Sequence, residues 1–108
     1  LTFAQAATGA SGIETLLSLS LELYHNNSLK LETIIQALTS NPAKILKINK
    51  GNLSIGNDAD FCIVDIDKPW VVKKDQLVSK SKNTSIEDKK LQGKVTNTFV
   101  KGVELFKL

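Results

Sequence analysis

Histidine and cysteine each occur once in this sequence of 108 residues, as His25 and Cys62. Structural and catalytic zinc sites draw on three or four side chains, and neither residue has a His or Cys partner at ligand spacing, so no metal centre is expected from this chain alone. His25 follows a leucine-rich stretch and reads as a surface residue at a helix end. Cys62 lies in the apolar run 61–64, where a free thiol behaves as a small buried hydrophobe, and burial is the expectation. For acyl-transfer chemistry a serine would sit in a Gly-x-Ser-x-Gly elbow. The nearest approach, Ala10-Ser11-Gly12, lacks the first glycine. The acidic pairs Asp58/Asp60 and Asp65/Asp67 flank a strand and its turns and are expected to cap those turns rather than move protons.

One segment has a different character. Ala7-Thr8-Gly9-Ala10-Ser11-Gly12 precedes a strongly apolar helix. Its two glycines let the backbone approach another group closely, and free N–H groups near a helix start favour an anion. A loop packed tightly against a neighbouring strand would use the same residues, and both readings stay open on spacing alone.

The elements that carry these residues divide the chain in two. Leucine and isoleucine at helical spacing fill residues 13–48, and short apolar runs between Gly, Asn and Asp turns follow from 52 onward. Ile13, Leu16, Leu17, Leu21 and Tyr24 form one stripe of a first helix, which Leu19 and Leu23 widen until burial on two sides is expected. A second helix spans about 31–39, with Leu31, Ile34, Ile35 and Leu38 inward and a poor cap at Lys30. Asn41 as N-cap and Pro42 at the first position predict a third helix that stops before Gly51. In the second half Leu53 and Ile55 are expected to form a hairpin with residues 61–66 through Gly56-Asn57-Asp58. Trp70 to Val72 reads as a short separate strand, 73–90 as mostly loop, and 95–100 and 103–106 as two strands joined at Lys101-Gly102.

Composition narrows the function classes. Hydrophobic residues make up 42% of the chain, enough for a modest core, and there is no long apolar run, so neither a membrane span nor a secretion signal is expected. The net charge is +3, but all 14 basic residues are lysines interspersed with 11 acids, and residues 73–90 hold no aromatic on which a base could stack. Nucleic-acid binding is not expected. Arginine, the usual bidentate clamp for a carboxylate, is absent, so any such clamp lies outside this sequence.

Five collinear segments resemble the dihydroorotases, a branch of the metal-dependent amidohydrolases. Gly9-Ala10-Ser11-Gly12-Ile13-Glu14-Thr15 is similar to that family's Gly-x-x-Gly-x-Glu-Thr, and Thr39-Ser40-Asn41-Pro42-Ala43-Lys44-Ile45-Leu46 to its Thr-x-Asn-Pro-Ala-Arg-Ile-Leu, with Lys44 in place of arginine. Gly56-Asn57-Asp58-Ala59-Asp60 resembles the Gly-x-Asp-Ala-Asp hairpin found widely among amidohydrolases. Ser79-Lys80-Ser81-Lys82-Asn83-Thr84 and Gly93-Lys94-Val95 resemble elements near the dihydroorotase C-terminus, with Ser85 where proline is usual and Thr8 where an aromatic is usual.

The resemblance implies an α/β fold: residues 1–50 as the C-terminal end of a (β/α)8 barrel, substrate loop plus helices, and 51–108 as part of a composite β-sandwich. It implies two zinc ions in the parent enzyme, held by histidines, a carbamylated lysine and an aspartate outside this chain, and a cytoplasmic cyclic amidase that interconverts dihydroorotate and N-carbamoyl-aspartate. Thr8 and Gly9 are implied at the substrate, through backbone contacts. The chain is then expected to be a catalytically inactive piece of a nicked or trimmed enzyme. Its partners would be the missing N-terminal part, the substrate, and a second copy or aspartate transcarbamoylase. A non-catalytic partner of that transcarbamoylase and an allantoinase- or hydantoinase-type enzyme are the alternatives.

Overall fold

A computed structural model describes residues 2–6 and 9–108. Helices occupy the first half and an antiparallel sheet the second. The helices are α1 (Leu16–His25), α2 (Leu31–Leu38) and α3 (Ser40–Leu46), and the strands β1 (Phe61–Val71), β2 (Lys90–Val100) and β3 (Val103–Lys107). The sheet order is β1-β2-β3, which puts β2 in the centre.

The broad apolar surface of α1 is used on one side. Leu21 is fully buried, and α1 lies across β2, whereas Leu16 and Leu23 stay 54% and 42% exposed. Ile13 is not on the helix. The N–H and hydroxyl of Thr15 both donate to the Gly12 carbonyl, which makes a turn before the first helical residue and leaves Ile13 93% exposed. α2 begins at Leu31 with Lys30 giving no side-chain cap, as expected, and Ile34 is its buried residue. α3 starts earlier than the Asn-Pro pair suggests. Thr39 stands at its N-cap and Asn41 is already helical. Pro42 is still accommodated because N–H groups in the first turn have no partner within the helix.

Three expectations for the second half are corrected. Leu53 and Ile55 form no strand and stand 75% and 106% exposed. Side-chain amides bend this segment instead: Asn52 Oδ1 accepts from Ser54 N and Asn57 Nδ2, and Asn49 Nδ2 donates to Asn57 Oδ1 at 2.9 Å. Asparagine competes with the strand ladder in this way. Trp70 and Val71 are not a separate strand but the end of β1, which continues past a register shift between Asp65 and Pro69. Pro69 is tolerated because β1 is an edge strand. Cys62 is exposed, since most of β1 on either face has nothing packed over it among the described residues.

The strand expected from Val95 begins at Lys90, because residues 90–92 pair with the extension of β1 through 69–71; the two-residue turn and the long loop are as expected. Lys101 and Gly102 have φ of 49° and 77°, the two positive values of a type I′ turn, between the paired Val100 and Val103. Residues 73–89 are a loop apart from one 3-10 turn (Lys74–Gln76), anchored by Val72 and Leu77, both buried. The Cα radius of gyration is 16.1 Å, against about 13 Å for a compact domain of this length. Burial concentrates at the α1–β2 seam, and the outer sheet contributes little.

Candidate functional site

At the seam a small polar cluster sets the angle of α1. Ser18, 3% exposed, donates its hydroxyl to the Gly93 carbonyl, and Trp70 Nε1 donates to both Ser18 Oγ and Gly93 O at 3.0 Å. Lys94 Nζ sits 3.8 Å over the Trp70 ring, a cation–π contact. Gly93 has φ +108°, and a Cβ there would come within 2.4 Å of Leu21 Cδ1, so glycine is needed for conformation and space alike.

This seam places the start of α1 beside the long loop. An open cleft of about 530 Å³ lies between residues 10–15 on one side and 77–79 on the other. Its two walls are tied together. The Glu14 carboxylate accepts the Val78 N–H at Oε1 (2.9 Å) and the Ser79 N–H at Oε2 (3.1 Å). Ser11 donates its N–H to the Asn83 carbonyl (2.6 Å) and its hydroxyl to the Ser81 carbonyl (3.1 Å). Asn83 Nδ2 donates to the Gly9 carbonyl, and Lys82 Nζ to that of Leu77. The Val78 N–H holds the Glu14 carboxyl below its ordinary range against a desolvation cost, with help from the Ser79 N–H, Lys82 and Lys94.

Of the residues singled out at the substrate, Gly9 is therefore at one rim of this arrangement, and Thr8 lies outside the described residues. A Cβ at Gly9 or Gly12 would meet no atom within 4 Å, so neither glycine makes room for a neighbour among the described residues. Glu14 and Asn83 were legible as parts of two motifs. Their joining across the cleft was not, because a contact spanning 64 or more residues leaves no local pattern.

The other candidates have structural partners. His25 ends α1 with Nδ1 2.9 Å from the Leu21 carbonyl and Nε2 3.1 Å from Asp67 Oδ1. Asp60 accepts the Lys101 N–H (2.8 Å) and pairs with Lys50, thereby capping the β2–β3 turn. Lys50 and the Lys101 N–H together hold its carboxyl below the ordinary value. Asp65 Oδ1 accepts the Asp67 N–H (3.1 Å) inside β1, at its register shift, so this pair caps no turn, contrary to expectation. No group of three or more His, Cys, Asp or Glu side chains converges among the described residues, so these side chains do not fit a zinc ion.

The chain is thus a run of helices leading into an antiparallel sheet, with a glycine-containing loop laced to a Ser-Lys-x-x-Asn-Thr segment. The chain belongs to the amidohydrolase family, which it matches over residues 4–105. Within that family it is similar to proteins named dihydroorotase. It is 42% identical over 102 residues to that of Ehrlichia chaffeensis, covering 94% of this chain and 23% of the relative. It is 44% identical over 100 residues to that of Syntrophus aciditrophicus, covering 93% and 24%. Among solved structures it superposes on the L-hydantoinase (dihydropyrimidinase) of Arthrobacter aurescens with TM-score 0.87 and 31% identity, over 94% of this chain and 23% of that one. The chain thus spans about a quarter of the length of the relatives it matches. Among the described residues no helix is long and apolar enough to cross a membrane.

Proposed function

We propose that this chain is the C-terminal portion of a dihydroorotase, a zinc-dependent hydrolase of pyrimidine biosynthesis that interconverts dihydroorotate and N-carbamoyl-aspartate in the cytoplasm. The observation that carries the reading is the identity of at least 40% with several dihydroorotases along more than nine-tenths of the chain. In this reading residues 1–50 close the barrel domain and 51–108 join a β-sandwich. Thr8 and Gly9 face the substrate and offer backbone groups. Two zinc ions held by residues outside this chain would supply a Lewis acid and a water-derived nucleophile at neutral pH. The carboxylate clamp belongs to the same outside part, since the chain has no arginine. The chain by itself is then inactive, and its first partner is the rest of the enzyme, with a second copy or aspartate transcarbamoylase as a further one.

The likeness to L-hydantoinase favours one second reading, a cyclic amidase of hydantoinase or allantoinase type. Dihydroorotate, hydantoin and allantoin all present a cyclic amide, so the class of chemistry is shared and the pocket decides. Turnover of dihydroorotate, hydantoin and allantoin by the full-length protein separates the readings. The highest kcat/KM is expected for dihydroorotate; a preference for hydantoin or allantoin overturns the assignment in favour of the second reading, and zinc-loaded protein inert toward all three overturns both.

A further inference from the structure

The lacing between the Gly9 loop and the Ser79 segment has a centre. Glu14 sits on the turn that leads into α1, and its two carboxylate oxygens each take one of two consecutive backbone N–H groups, those of Val78 and Ser79. A neutral amide could accept only one of these bonds, because its second head atom is itself a donor. Held in this way, the Ser79 segment presents Asn83 to the loop, where Asn83 receives the Ser11 N–H on its carbonyl and gives its side-chain N–H to the Gly9 carbonyl. The Ser11 hydroxyl closes the ring on the Ser81 carbonyl. Most of these bonds are solvent-exposed, so each is weak singly. Together they tie the Gly9 carbonyl and both donors of Ser11 to the Ser81 to Asn83 segment. A carboxylate placed only to favour the positive end of a helix would work at several lengths and would need no partner sixty residues away.

We infer that Glu14 is a positioning residue: it latches the Ser79 to Asn83 segment across the cleft, and that segment sets the backbone geometry of the Gly9 loop. The consequence for substrate rests on the reading of that loop given under the proposed function; the latch itself does not. The low-lying Glu14 carboxyl keeps its charge, and so both bonds, at neutral pH.

The test uses the full-length protein and the substitutions Glu14→Gln, Glu14→Asp and Asn83→Ala. Amide hydrogen exchange is read at Ser11, Val78 and Ser79, and KM and kcat are read with dihydroorotate. Loss of one charge-assisted bond predicts about tenfold faster exchange at Ser11 and about tenfold higher KM, with kcat within about threefold of wild type. Glu14→Asp keeps the charge but loses reach, and it should behave like Glu14→Gln. A purely structural role for Glu14 would lower the melting temperature and the active fraction while leaving KM and Ser11 exchange unchanged, and that result overturns the inference. So does Glu14→Asp behaving as wild type. Should the Glu14 variants fail to fold, the exposed Asn83→Ala variant, which keeps the carbonyl that accepts the Ser11 N–H and loses only the neutral bond to the Gly9 carbonyl, is expected to raise KM by about threefold with kcat unchanged, and an unchanged KM overturns the inference. Wild-type protein inert toward dihydroorotate would defeat the functional reading, while exchange at Ser11 would still decide the latch.

Discussion

The α1–β2 seam and the outer sheet are built from similar residues and end in opposite states. At the seam Leu21, Val72 and Leu91 are buried, and the polar atoms of Ser18 and Trp70 are paired with each other and with Gly93. Around β3 and the start of β1, Phe61, Ile63, Leu105 and Phe106 are 37% to 66% exposed, although Phe61 and Phe99 stack at 4.6 Å and the strands pair on both sides of β2, with register shifts at Ile63/Val64 and Thr98/Phe99. The difference is a second layer. Strand pairing satisfies the backbone, but only an opposing helix or sheet removes apolar faces from water. α1 supplies that layer for one end of β2, and no described residue supplies it for the other. Exposed apolar surface of this extent is a common feature of protein contact sites, and the chain spans about a quarter of the length of the relatives it matches.

This contrast predicts a gradient of mutational effects. The largest is expected for Leu21→Ala, which empties the centre of the seam and lowers stability by about 3 kcal/mol, read as a shift of the urea midpoint. Gly93→Ala comes next at about 2 kcal/mol, from strain at positive φ and from collision with Leu21. A smaller loss, about 1 kcal/mol, is expected for Ser18→Ala, because Trp70 Nε1 keeps the Gly93 carbonyl. On the outer sheet Leu105→Ser should change the stability of this chain by less than about 0.5 kcal/mol, yet cost clearly more in the full-length protein. Equal small effects in both settings would show that nothing covers this face. The weakest effect concerns pH. Asp60 is held below its ordinary value of 3.8 by Lys50 and the Lys101 N–H, so its contribution is present above that value and lost as pH falls through the lower folded one. Asp60→Asn should therefore lower the neutral plateau slightly and flatten the acid limb, so that variant and parent converge at low pH.

Legibility in the sequence follows the same physics. The helical half, the loop at 73–89 and the type I′ turn were readable because apolar period, the scarcity of apolar residues in the loop and Lys101-Gly102 are local signals. Leu53 and Ile55 misled because alternation with polar residues describes a strand only where a partner edge exists, and asparagine amides took the backbone groups instead. Cys62 misled for the related reason that an apolar run states a preference for burial and not the presence of a cover. The Ser18–Trp70–Gly93 cluster left a faint trace, a glycine inside a strand, which marks a close approach. The Glu14 latch left none beyond the two motifs it joins.

The central claim is that this chain is the C-terminal part of a dihydroorotase whose metals and base lie elsewhere in the same protein. Zinc content and dihydroorotate hydrolysis, measured side by side on this chain and on the full-length protein, test it most directly. The account predicts bound zinc and turnover in the full-length protein and neither in this chain; turnover by this chain alone, or none in zinc-loaded full-length protein, would contradict it.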